Sequence, residues 1–229
     1  MFAPDSLLWL SHLNALAGGL FLLATFGMVT TRQVKGCLGF FVLQSVCLCG
    51  SAFVLGVHLH SWHVAAVGAI DIINKPIIVP WLLRRTVREE IFSRREVTQV
   101  LNIPTSLLIA SALVVVAYVL AMPLVRVAGG PGSSVNLPIG LAGLLVGALA
   151  SCVRREAVPL FLGLLAMENS SLLAGFAVAT ELPMMVELAI IFDVLAIVFI
   201  FGVLTRAVHQ HIGTTEVGTL TLLREESKP

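Results

Sequence analysis

Charge is what this chain has least of. Only 12% of its 229 residues are Asp, Glu, Lys or Arg, about half the 25% share of a soluble domain. With 58% hydrophobic residues and a mean hydropathy of +0.99, that scarcity excludes an ordinary soluble fold. It points to an integral membrane protein, with the lipid bilayer as its solvent. A cleavable signal pattern is also missing. "MFAPDSLLWL" has no basic n-region, and the apolar run it opens is too long for a signal core, so the first span is read as mature protein. Cysteine is scarce: Cys37, Cys47, Cys49 and Cys152 all lie in or beside apolar runs. Cys47-x-Cys49 is not a zinc spacing and no second pair follows it, so all four are read as small buried hydrophobes. There is no phosphate loop, nucleophile motif or haem signature. No catalytic residue, metal, cofactor or nucleic-acid partner is assigned.

What is present is a series of apolar runs near the ~20 residues that span a bilayer. Seven are read, giving an all-α polytopic membrane protein with seven transmembrane helices. They cover Ser6 to Thr30 (Asp5 as N-cap), Gly36 to His58, Trp62 to Leu83, Val100 to Met122, Leu137 to Val153, Ala157 to Thr180 and Pro183 to Ala207. Asn136 and Pro138 read as the start of the fifth helix. Residues 1–99 form an N-terminal three-helix unit with a charged segment, 100–136 a connecting helix and outer loop, and 137–229 a second three-helix unit with a tail.

Twelve of the 14 Lys and Arg fall in alternate loops and the tail: Arg32 and Lys35, five arginines between 84 and 95, Arg154 and Arg155, then Arg206, Arg224 and Lys228. The opposite loops hold only Arg126. Positive charge stays on the cytoplasmic side, so the N-terminus is placed outside and the C-terminus in the cytoplasm. Trp9, Trp62 and Trp81 fall near span ends, where interfacial anchors belong.

Four ionisable residues sit deep in the spans: Asp71, Lys75, Glu168 and Asp193. A central charge costs about 3 kcal/mol or more to insert, so such residues usually mark function. Asp71 and Lys75 are four apart on one helix face and can pair. Asn74 adds a neutral donor and acceptor. Pro76 and Pro80 remove backbone donors, so "DIINKPIIVP" reads as a kinked or locally broken helix. A satisfied structural ion pair beside a proline kink is the plainer alternative. Glu168 stands about 17 Å into its helix at 1.5 Å per residue. Ser171 and Gly175 are placed on its face, while Asn169 points about 100° away. Glu187 lies one turn from the outer end of its span and reads as interfacial. His12 is read as a packed helix-contact residue. "HLHSWH" holds three metal-ligand types, read as interfacial.

All four deep groups fall near one plane, the bilayer midplane. A path across ~30 Å of hydrocarbon needs groups at several depths. A single depth suits sideways charge movement, passed on to a neighbouring subunit. The alternative is a scaffold whose carboxyls only join helices.

The box "GLLAMENSSLLAGFAVA" and the stretch "ELPMMVELAIIFDVLAIVFIFGVLTRAVHQHIGTTEVGTLTLLRE" resemble the C-terminal part of hydrogenase 4 component E. That family comprises membrane subunits of group 4 nickel–iron ([NiFe]) hydrogenase and formate hydrogenlyase complexes. "NKPIIVPWLL" resembles a family K-x-x-x-x-P segment and gives Lys75 a counterpart. The last three helices are also similar to the K-type subunit of respiratory complex I. There Gly163, Asn169 and Ser171 match a G-L-E-x-x-x-N-x-S helix, Leu165 stands at the glutamate position, and Glu168 lies one turn on. Asp193 falls about where the K-type third-helix glutamate lies. The resemblance implies a non-catalytic subunit in a bacterial or archaeal cytoplasmic membrane. It would link redox chemistry elsewhere to proton translocation through Lys75, Glu168, Asp193 and Asp71. Its implied partners are antiporter-like membrane subunits, a membrane anchor subunit and a cytoplasmic nickel–iron and iron–sulfur arm. An Mrp-like cation/proton antiporter subunit is the alternative.

Overall fold

In the computed structural model, residues 4–58, 71, 74–86, 101–128, 133–154, 157–178 and 202 are described. These residues are helical almost throughout, with no strand among them. The elements are α1 (Pro4–Thr30), α2 (Val34–His58), a π-helical turn (Asn74–Ile78) running into α3 (Val79–Thr86), then α4 (Ile103–Ala128), α5 (Ser133–Cys152) and α6 (Ala157–Val178). Five stretches are long and apolar enough to cross a membrane: Trp9–Thr30, Val34–Val57, Ile103–Val127, Val135–Cys152 and Val158–Val178. The seventh sequence-predicted span apart from Gly202, half of the third, the segment 87–100 and the tail lie outside the described residues.

Four of these helices close into a ring. α1 packs on α2, α2 on α6, α6 on α5, and α5 back on α1; α4 lies outside, mainly against α5. The three-residue connection Thr31–Gln33 makes α1 and α2 antiparallel neighbours. The α5–α6 contact is the most intimate, and its cause is glycine. A Cβ at Gly140 would stand 2.6 Å from the Ala174 backbone N and 2.8 Å from the Ser170 carbonyl O. One at Gly143 would meet the Ser170 side chain at 2.6 Å, and one at Gly147 would meet Met167 at 3.0 Å. Small residues are what let membrane helices approach this closely, because lipid supplies no hydrophobic drive to pull them together.

Several helix ends differ from the sequence reading. α1 begins at Pro4, so Asp5 is inside the first turn and does not cap it. α5 begins at Ser133, which puts Asn136 and Pro138 within the helix. α4 runs through Pro123 to Ala128 and does not stop at Met122. Proline is a weaker stop signal in apolar helices than in water-exposed ones, since breaking the helix there would expose further backbone groups to lipid.

Candidate functional site

The third-span segment is π-helical over Asn74–Ile78, which holds Lys75 and Pro76, and becomes α-helical at Val79. The prolines predict a break, and it takes the form of a wide turn. A π-turn shifts the side-chain register, and such turns recur at functional sites. Its effect here is on Lys75. The side chain is 2% exposed and lies between two carboxylates: Nζ is 3.6 Å from Asp71 Oδ2 and 3.5 Å from Glu168 Oε1. Asp71 is one helical turn back on the same segment, and Glu168 reaches in from the middle of α6. Lys75 and Glu168 therefore meet at a common depth. Both distances exceed the 2.7–2.9 Å of a tight charge-assisted hydrogen bond, and they are nearly equal, so the ammonium stands about as close to one carboxylate as to the other. A buried charge of this kind persists only if paired. Below it, Met28, Phe41, Val79, Leu83, Leu162 and Leu165 form a dry apolar cluster.

Four successive residues of α6 point to four surroundings, because each step turns the helix by about 100°. Glu168 faces Lys75. Asn169 faces α2, where its Nδ2 donates to Ser45 Oγ at 3.0 Å and to Gln44 Oε1 at 3.4 Å. Ser170 faces Gly143 on α5 and donates back to its own helix, Oγ to the Ala166 carbonyl at 2.6 Å. Ser171 faces outward and is exposed. The expectation that Ser171 flanks Glu168 is corrected accordingly: its 60° offset carries it past the ion pair to the outer surface. Gly175 has open space where a Cβ would stand. The Asn74 side chain, Asp193 and Glu187 lie outside the described side chains. So do His58, His60 and His63.

The sequence reading missed the neutral half of this interior. Gln44 donates to Thr25 Oγ1 at 2.9 Å and to the Ala166 carbonyl at 3.5 Å, so it joins α1, α2 and α6. Thr25, Gln44, Ser45 and Asn169 are all fully buried. Toward the other end, Asn14, Ser51 and Asn136 bond to one another. Ser51 Oγ donates to Asn14 Oδ1 at 2.6 Å, Asn14 Nδ2 to Asn136 Oδ1 at 3.0 Å, and Asn136 Nδ2 to Ser51 Oγ at 3.1 Å. The available signal was a neutral polar residue inside each of several apolar runs. Arg154, counted from sequence as a loop charge, is buried and donates through Nη2 to the Met28 and Thr31 carbonyls at the end of α1. A cation there complements the negative end of the helix dipole. His12 is exposed, so it is not the packed contact residue expected. Cys37, Cys47 and Cys49 are buried as anticipated, but Cys152, at the last position of α5, is exposed.

Over 210 residues the chain is 30% identical to the Uncharacterized protein Rv0085 of Mycobacterium tuberculosis (strain ATCC 25618 / H37Rv), a match that covers 91% of this chain and 94% of the relative. The chain belongs to the Rv0085 family. No protein-family model matches it, and no solved structure does. The Rv0085 match runs nearly end to end, so it takes in the helices that carry Asp71, Lys75 and Glu168 along with the rest.

Proposed function

We propose that this Rv0085-family protein is a membrane subunit of a hydrogenase-4 or formate-hydrogenlyase type complex, contributing a midplane relay that couples redox chemistry in a peripheral arm to proton translocation. In this reading the chain crosses a bacterial or archaeal cytoplasmic membrane seven times, with its N-terminus outside. The observation that carries it is Lys75 held at near-equal distance from Asp71 and Glu168. Among the described residues, these three carry one net negative charge when all are ionised, and one bound proton brings them to neutral. A lysine on a flexible stem can exchange partners and hand on a proton, and ionisable groups at this depth otherwise cost several kcal/mol. The common depth of Lys75 and Glu168 supports movement in the membrane plane. Asp193, Asn74 and Glu187 enter this reading from sequence alone. The hydrogenase assignment and the partners, antiporter-like subunits, an anchor subunit and a nickel–iron arm, are supported by the sequence resemblance.

Purification of the tagged chain from its native membrane, with identification of what accompanies it, tests the assignment. A nickel–iron large subunit and antiporter-like subunits are expected. Recovery with antiporter subunits alone would instead support the Mrp-like alternative. The relay is tested by Glu168→Gln in the assembled complex: coupled proton translocation is lost while assembly persists. Full coupling in that variant would leave only a scaffold role.

A further inference from the structure

Two consecutive residues of α6 do different work, and their angular relation is fixed. Glu168 and Asn169 are about 100° apart around the helix. Whatever holds Asn169 therefore decides where Glu168 points. Asn169 is fully buried and uses both N–H groups on α2, one on Ser45 Oγ and one on Gln44 Oε1. Gln44 is itself tied to Thr25 on α1 and to the Ala166 carbonyl, two residues before Glu168. The glycine contacts with α5 set how close α6 comes. They are contacts of shape, and a hydrogen bond adds a direction.

We propose that Asn169, seated on Ser45 and Gln44, is a positioning residue that sets the rotation of α6 and so aims Glu168 at Lys75. This inference stands apart from the proton-relay reading, because it concerns the ion pair whether or not protons move.

The test reads the state of one carboxyl. Dicyclohexylcarbodiimide, an apolar reagent, modifies protonated carboxyls within membranes, whereas a carboxylate paired with an ammonium reacts slowly. Labelling of Glu168 in the full-length chain is followed by mass spectrometry in membrane vesicles, with Glu168→Gln as the blank. Lys75→Met removes the counter-charge, and Glu168 then takes up a proton. Labelling should rise about tenfold or more once no ammonium faces the carboxyl. If Asn169 aims the carboxyl, Asn169→Leu and Gln44→Leu raise labelling toward the Lys75→Met level. The double variant Lys75→Met/Asn169→Leu labels no faster than Lys75→Met alone. A merely structural role would lower thermal stability and add to labelling in the double variant. Wild-type labelling in folded Asn169→Leu overturns the proposal, and so does additivity in the double variant. If Asn169→Leu fails to accumulate, the milder Ser45→Ala decides. A partial rise supports the proposal, and no change refutes it.

Discussion

α4 and α6 are both apolar helices long enough to cross a bilayer, yet they are built for different surroundings. The spanning window of α4 is 17% buried and that of α6 is 50% buried. α4 turns only a seam of small side chains inward: Ser106, Ala110, Ala117 and Ala121 are fully buried. Leu108, Val115, Val119, Leu120 and Val127 cover its outside. α6 carries Glu168, Asn169 and Ser170 at mid-length and gives each a separate neighbour. α4 is the more apolar of the two and α6 the more deeply buried, so hydropathy does not decide their places. What does separate them is whether the mid-helix polar groups have partners on other helices. In a bilayer core an unpartnered polar group costs several kcal/mol, so a helix like α6 is viable only as a member of the ring.

Breaking the ionic layer has the largest expected effect. Lys75→Met leaves the Asp71 and Glu168 carboxyls without a facing cation. Removing one partner of a buried charge cluster costs about 3–5 kcal/mol, and the variant should unfold earlier in a detergent titration. Next comes the glycine contact that holds α6 in the ring. Gly140→Ala would press a Cβ onto backbone atoms of α6 and should cost about 1–3 kcal/mol by the same titration. Gly39→Ala, with nothing within 4 Å of the new Cβ, is expected to be neutral or stabilising by up to about 1 kcal/mol. A smaller loss is expected from the neutral cluster. Asn136→Ala removes bonds to Asn14 and Ser51 and should cost about 1 kcal/mol, the usual scale of interhelical hydrogen bonds in membranes. The smallest effect belongs to α4: Val119→Ala on its exposed face should stay within about 0.5 kcal/mol. If Val119→Ala proved as damaging as Gly140→Ala, the distinction between a central and a peripheral helix would be wrong.

The charged part of the site is legible in sequence, and the neutral part is not. Asp71, Lys75 and Glu168 announce themselves because each is expensive in lipid, and the i,i+4 spacing pairs the first two. Nothing in the sequence tells which helix Glu168 faces, but equal depth makes Lys75 the natural candidate. Thr25, Gln44, Ser45 and Asn169 escape notice for two reasons. Neutral polar side chains carry no charge to mark them in an apolar run, and their partners lie far away in the chain, 125 residues apart for Gln44 and Asn169. Ser171 shows the limit of face assignment from spacing. An i+3 position is 60° from its reference residue, which near the edge of a buried stripe is the difference between inside and outside. The prolines after Lys75 signal a disturbed helix, but a wide turn and a kink look alike until the backbone is traced.

Arg154 has a consequence in time. The carbonyls at the end of α1 that it satisfies emerge 126 residues before it does. At about 5–20 residues per second of synthesis, that is a delay on the order of ten seconds. During it the C-terminal carbonyls of α1 are not yet met by Arg154. When α5 and α6 arrive, the guanidinium closes that end and the ring together. A chain truncated before residue 154 should therefore leave α1 and α2 inserted but unlatched, and open to the membrane's quality-control proteases.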